Sequence, residues 1–164
     1  MQIRFTLKSR LFNSEVKIVW LGIIFDVLVS ALVAPKDAFF FPNFLYFFGS
    51  QVAVLVLLLL FRPRPAVVSG AAAAVPTYLC VFLLYLWFHP DREGLAILGY
   101  FFSLPGAVIG GGVAKFCLRR RLLNREIVAV LVSTGFVFAG LLINQAVVCN
   151  TMMYCPGLTF LKLN

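Results

Sequence analysis

Apolar residues neither alternate with polar ones along this chain nor recur at the three-and-four spacing of a soluble amphipathic helix. They come in five nearly unbroken runs: Val16–Val33, Phe44–Phe61, Ala66–Phe88, Leu95–Leu118 and Ile127–Cys149. A bilayer core of about 30 Å takes roughly 20 helical residues to cross, and each run is about that long. Barrel strands would be about half as long and would alternate, so the runs predict helices. The breaks "APKDAFFFP", "RPRP", "HPDREG" and "RRRLLNRE" combine charge with Pro, Gly or Asn, the chemistry of helix ends and tight connections. The expected fold is therefore all-α: a polytopic integral membrane protein, a compact bundle of five transmembrane helices in a single membrane domain over residues 1–164, with a short tail over 150–164. The first run is read as an uncleaved span, because Asp26 interrupts it and Pro35 follows the small-residue string "ALVA" where a signal peptidase would cut.

Composition sharpens this expectation. Of 164 residues, 62% are hydrophobic and only 12% charged, and the mean hydropathy is +1.01. A soluble domain of this length needs more polar surface. The net charge of +8 could suggest nucleic acid, but the basic residues cluster between apolar runs rather than over a polar face, so a nucleic-acid partner is excluded.

The same charges set an orientation. Threading five helices places Arg4, Lys8, Arg10, Lys17, Arg62, Arg64, Lys115, Arg119, Arg120, Arg121 and Arg125 on one side, and only Lys36, Arg92 and Lys162 on the other. The rule that cytoplasmic loops are basic then predicts a cytoplasmic N-terminus and an outer C-terminus in a bacterial inner membrane. Phe39, Phe40, Phe41, Phe44, Tyr46, Tyr85, Trp87, Phe88, Tyr100 and Phe101 fall near the outer interface on this reading. The basic inner segments could also attract anionic headgroups, at about 1 kcal/mol per residue near the surface.

Several groups could carry chemistry. In the fourth run Gly99, Ser103, Ala107 and Gly111 recur every four residues, and Gly106 and Gly110 form a GxxxG, a face on which another helix can approach closely. This predicts packing within the chain, or self-association or a partner membrane protein through that span. Ala66, Gly70 and Ala74 make a similar ridge in the third run. Asp26 shares a stripe with Gly22 and Ser30. A charge at mid-bilayer costs about 2.5–3.5 kcal/mol even on the gentler scale, so this carboxyl faces protein or water, or is protonated. Gln51, Thr77, Tyr78, Ser133 and Thr134 lie at related depth, with Asn144 and Gln145 nearer the outer end. Cys149 and Cys155 close a short loop in what would be an oxidising compartment and are a candidate disulfide.

No catalytic set and no metal or cofactor site can be assembled from the sequence. The single histidine, His89, shares a short loop with Asp91 and Glu93, without a second His or Cys nearby. A faint repeat is present: "YFF" at 46–48 recurs at 100–102, and "VSG" at 68–70 resembles "VSTG" at 132–135. It would make the second and third spans a counterpart of the fourth and fifth. The expectation for function is a non-catalytic membrane protein acting by contact, as an accessory subunit or an immunity-type protein against a membrane-targeting toxin. The alternative is a small oligomeric proton- or cation-linked transporter or channel built on Asp26.

Overall fold

The structure, a computed structural model, describes the backbone of residues 2–88, 96–119 and 126–151, with side chains from residue 17 onward except at 86, 96, 97 and 119. It holds five helices: α1 (Gln2–Val33), α2 (Phe40–Leu60), α3 (Pro65–Phe88), α4 (Ala96–Arg119) and α5 (Glu126–Thr151). Four of them, α2 to α5, are long and apolar enough to cross a membrane, which supports a multi-pass membrane protein. α1, whose described side chains begin at Lys17, is not among these four. His89, Asp91, Glu93, Arg92, Arg120, Arg121, Arg125, Cys155 and Lys162 lie outside the described residues.

Two helices start earlier than the apolar runs. α1 begins at Gln2 rather than near Val16, because nothing from Gln2 to Glu15 is Pro or Gly and a helix needs no apolar residues to propagate. α2 begins at Phe40 with Pro42 in its first turn, where a missing amide costs no hydrogen bond. Asp37 prepares this start: its carboxylate accepts from the Phe39 amide at 2.8 Å.

α3 is the central helix. About 67% of its apolar window is buried against the rest of the chain, compared with 22% for α2 and for α5. Small residues make this crowding possible: Ala66, Val67, Ala71, Ala74 and Val75 are all within 2% of complete burial. α3 runs parallel to α5, since Gly70 lies at Ser133 and Tyr78 reaches Gln145. α2 runs parallel to α4, since the Phe47 ring lies 6.5 Å from that of Tyr100 and Leu58 lies on Gly111.

The two faintly repeated strings therefore lie against each other. Tyr46 and Phe101 have ring centroids 4.0 Å apart and Phe47 and Phe101 6.0 Å apart. Gly70 of "VSG" meets Ser133 of "VSTG". Of these contacts only Phe47–Phe101 joins counterparts in the repeat; Gly70 meets Ser133 rather than its counterpart Gly135, and α4 packs on α5 far more extensively than α2 packs on α3, so the two hairpins are not equivalent.

The two ends of the bundle differ. Arg62 and Arg64 are exposed at the α2–α3 turn, and Arg62 takes a left-handed φ of 47°, which costs a non-glycine residue about 1 kcal/mol or more. Lys115 braces that turn by donating to the Phe61 carbonyl at 2.6 Å. The other end is aromatic, with Phe39, Phe41, Trp87 and Phe88 all more than 60% exposed.

Candidate functional site

Two kinds of interior feature bear on function: a seam of glycines among α3, α4 and α5, and a polar cluster where α1 meets α2.

In the seam, a Cβ added at Gly106 would run into the carbonyl of Gly140 and lie 2.7 Å from Asn144 Cβ. One at Gly110 would run into the Phe136 carbonyl and lie 2.9 Å from Val137 Cα. The two backbones thus touch with no side chain between them. Gly70 does the same against α5, where a Cβ would lie 2.8 Å from the Thr134 amide nitrogen. Ser103 and Ala107 are completely buried on the same side of α4, Gly99 faces Gln145 of α5, and Gly111 faces Leu58 of α2. The glycine-rich face of the fourth helix is therefore occupied within the chain, and a partner is left with other surfaces. Gly140, which completes the α4–α5 seam, carried no signal in the sequence because Phe136 and Asn144 stand four residues to either side of it, so no small-residue spacing marks that face.

The polar cluster begins with the stripe Gly22–Asp26–Ser30 on α1. Gly22 lets α1 cross α3 at Ala72, whose carbon and oxygen lie 3.1 Å from where a Cβ would be. That carbonyl has no helical amide to bond, because Pro76 stands four residues later. One turn on, Asp26 is 3% exposed and Ser30 fully buried. Ser30 Oγ donates to Asp26 Oδ1 at 3.4 Å, and Gln51 Nε2 of α2 donates to Ser30 Oγ at 3.3 Å. Gln51 is 1% exposed and its Oε1 has no hydrogen-bond partner. From α4, the Tyr100 hydroxyl has Ser50 and Asp26 as polar neighbours, but no hydrogen bond of ordinary length and angle.

The structure thus brings Asp26 and Gln51 together and leaves the remaining sequence candidates elsewhere. Thr77 is exposed and bonds its own helix at Ala73; Ser133 and Thr134 likewise bond the carbonyls of Ala129 and Val130. Asn144 donates to the Phe102 carbonyl, next to the one that Pro105 releases. Gln145 accepts from the Tyr78 hydroxyl at 3.2 Å and donates to Cys149 Sγ at 3.3 Å. Cys149 is disulfide-bonded, and Cys80 and Cys117 are free thiols; Cys155 lies outside the described residues.

Tyr100 corrects an expectation. Its position near a helix end suggested an interfacial aromatic, but it is the largest completely buried side chain among the described residues, stacked on Tyr78 and tilted against Phe47 and Phe82. The signal was its place on the small-residue face: it precedes Ser103 and Ala107 by three and seven residues.

No protein-family model, curated protein or solved structure matches the chain.

Proposed function

We propose that this chain is a non-catalytic, multi-pass protein of the bacterial inner membrane, crossing it five times with the N-terminus in the cytoplasm. It acts by contact with another membrane protein, as an accessory subunit or an immunity-type protein. One observation carries this reading: the features that could make a pathway are turned inward and engaged by the chain itself. Asp26 is enclosed between α1 and α2, and the glycine face of α4 is filled by α5 and Leu58. What remains outside is apolar helix surface, such as Trp20, Leu21, Ile24, Leu28 and Leu32 on α1, together with basic residues that suit anionic headgroups. Purification in mild detergent from the native membrane should retain one partner at fixed stoichiometry. Recovery of the chain alone across several detergents counts against the contact reading.

A specific observation favours the second reading. Gln51 Oε1 and the Tyr100 hydroxyl are buried without a protein hydrogen-bond partner near a carboxyl, as in a site that handles a proton or cation. Flux into liposomes that disappears in Asp26→Asn would establish transport instead.

The orientation is tested separately. A reporter fused after Arg64 should behave as cytoplasmic and one after Asn164 as external. In protein extracted without reductant and then denatured, Cys80 and Cys117 should label with a thiol reagent, and Cys149 and Cys155 only after reduction. Reporters on one side, or four reactive thiols, would remove the five-span arrangement or the bond respectively.

A further inference from the structure

We infer that Asp26, Ser30 and Gln51, with Tyr100 nearby, form a binding site for a single monovalent cation of about sodium's size. The spacing of the polar atoms is the first argument. Ser30 Oγ stands 3.4 Å from Asp26 Oδ1 and 3.3 Å from the Gln51 amide nitrogen. Hydroxyl–oxygen hydrogen bonds are typically about 2.7–2.8 Å long, so this contact is slack. Oxygens held at about 2.4 Å around a hard cation stand roughly 3.4 Å from their neighbours. A carboxylate and a hydroxyl four residues apart on one helix face thus have the spacing of adjacent ligands.

The unpartnered atoms are the second argument. Gln51 and Tyr100 are each at least 99% buried, and each carries an oxygen with no hydrogen bond of ordinary length and angle, Oε1 and the hydroxyl respectively. Buried polar atoms are nearly always paired, and two such oxygens on helices that converge near Asp26 call for an electropositive ligand.

Charge selects the ion. Asp26 supplies one negative charge, and no group of three or more His, Cys, Asp or Glu side chains occurs among the described residues. A monovalent ion leaves the buried site neutral, and an all-oxygen donor set suits hard ions rather than transition metals. The inference goes beyond contact as a function and does not depend on it, because it concerns binding and not flux or partners.

The test is thermal unfolding of the purified chain in detergent, in sodium chloride against choline chloride at equal ionic strength. Sodium should raise Tm by about 4 °C or more as the site saturates, with a hyperbolic dependence on concentration. The shift should vanish in Asp26→Asn, and Ser30→Ala or Tyr100→Phe should need about tenfold more sodium for the same effect. Identical melting of the unmodified chain in the two salts overturns the site, as does a sodium shift that survives Asp26→Asn. If Asp26→Asn does not fold, the Ser30→Ala titration decides: an unchanged midpoint overturns the assignment and a weakened one supports it.

Discussion

At Gly106 the backbone of α4 lies against that of Gly140 on α5 with no side chain between them, whereas at Asp26 α1 meets α2 through a carboxyl, a hydroxyl and an amide. Both contacts solve the same problem. Lipid is as apolar as leucine, so burying more hydrocarbon does not bring helices together in a bilayer. The seam solves it by close approach, which gains dispersion contacts and leaves no polar demand to satisfy. The α1–α2 contact solves it with hydrogen bonds, which are directional and respond to what is bound or protonated. The seam offers no side chain that can titrate or bind an ion, whereas the polar contact holds a carboxyl, a hydroxyl and an amide. A response to binding or protonation is therefore expected at the junction of α1 with α2 rather than in the seam of α3, α4 and α5.

Glycine substitutions break this comparison most severely. Gly106→Leu should abolish a folded bundle, because its side chain would have to displace the Gly140 carbonyl. The "GGG" string at 110–112 grades the effect. Gly110→Ala drives a methyl into the α5 backbone, which cannot rotate away, and should cost about 1–3 kcal/mol. Gly111→Ala meets only the far end of Leu58, which can swing aside, so it should cost less. Gly112→Ala meets nothing within 4 Å and should be neutral, or stabilising by up to about 1 kcal/mol through helix propensity. Unfolding by denaturant in detergent reads all of these. Equal effects along the string would mean that α4 does not pack as described.

The two regions also differed in how far the sequence revealed them. Helix number and approximate position follow from run length, because lipid demands long apolar helices and little else. The small face of α4 was visible because Gly99, Ser103, Ala107 and Gly111 repeat at one spacing within a single helix. Its partner was not, since which helix covers a face depends on the order of packing around the bundle, and Gly140 has no small residue four positions away in its own helix. For the polar cluster, the stripe through Gly22, Asp26 and Ser30 was legible, but the choice of Gln51 over Thr77, Tyr78, Ser133 or Thr134 was not. Depth along a helix can be counted in residues; the direction in which a side chain points across a bundle cannot. The start of α1 was missed for another reason, because an apolar run marks what lipid can cover and not where a helix begins.

Asp26 gives the smaller effects, and a pair of substitutions there sharpens the comparison. Asp26→Leu removes the acceptor for Ser30 and leaves the Ser30–Gln51 pair facing hydrocarbon. Its cost should be about 0.6 kcal/mol, the average for a hydrogen bond between membrane helices, well below that of Gly110→Ala. Asp26→Asn keeps the shape and still offers an oxygen to the Ser30 hydroxyl, so in choline it should unfold within about 0.5 kcal/mol of the unmodified chain. The seam tolerates no such exchange, since a backbone contact has no isosteric substitute that is larger than glycine. If the unmodified chain and Asp26→Asn unfold alike in choline but differ in sodium, the carboxylate's charge belongs to a bound ion and its shape to the fold. A large loss for Asp26→Asn already in choline would instead mean that the charge itself holds α1 in place, and the division between an inert seam and a responsive junction would fail.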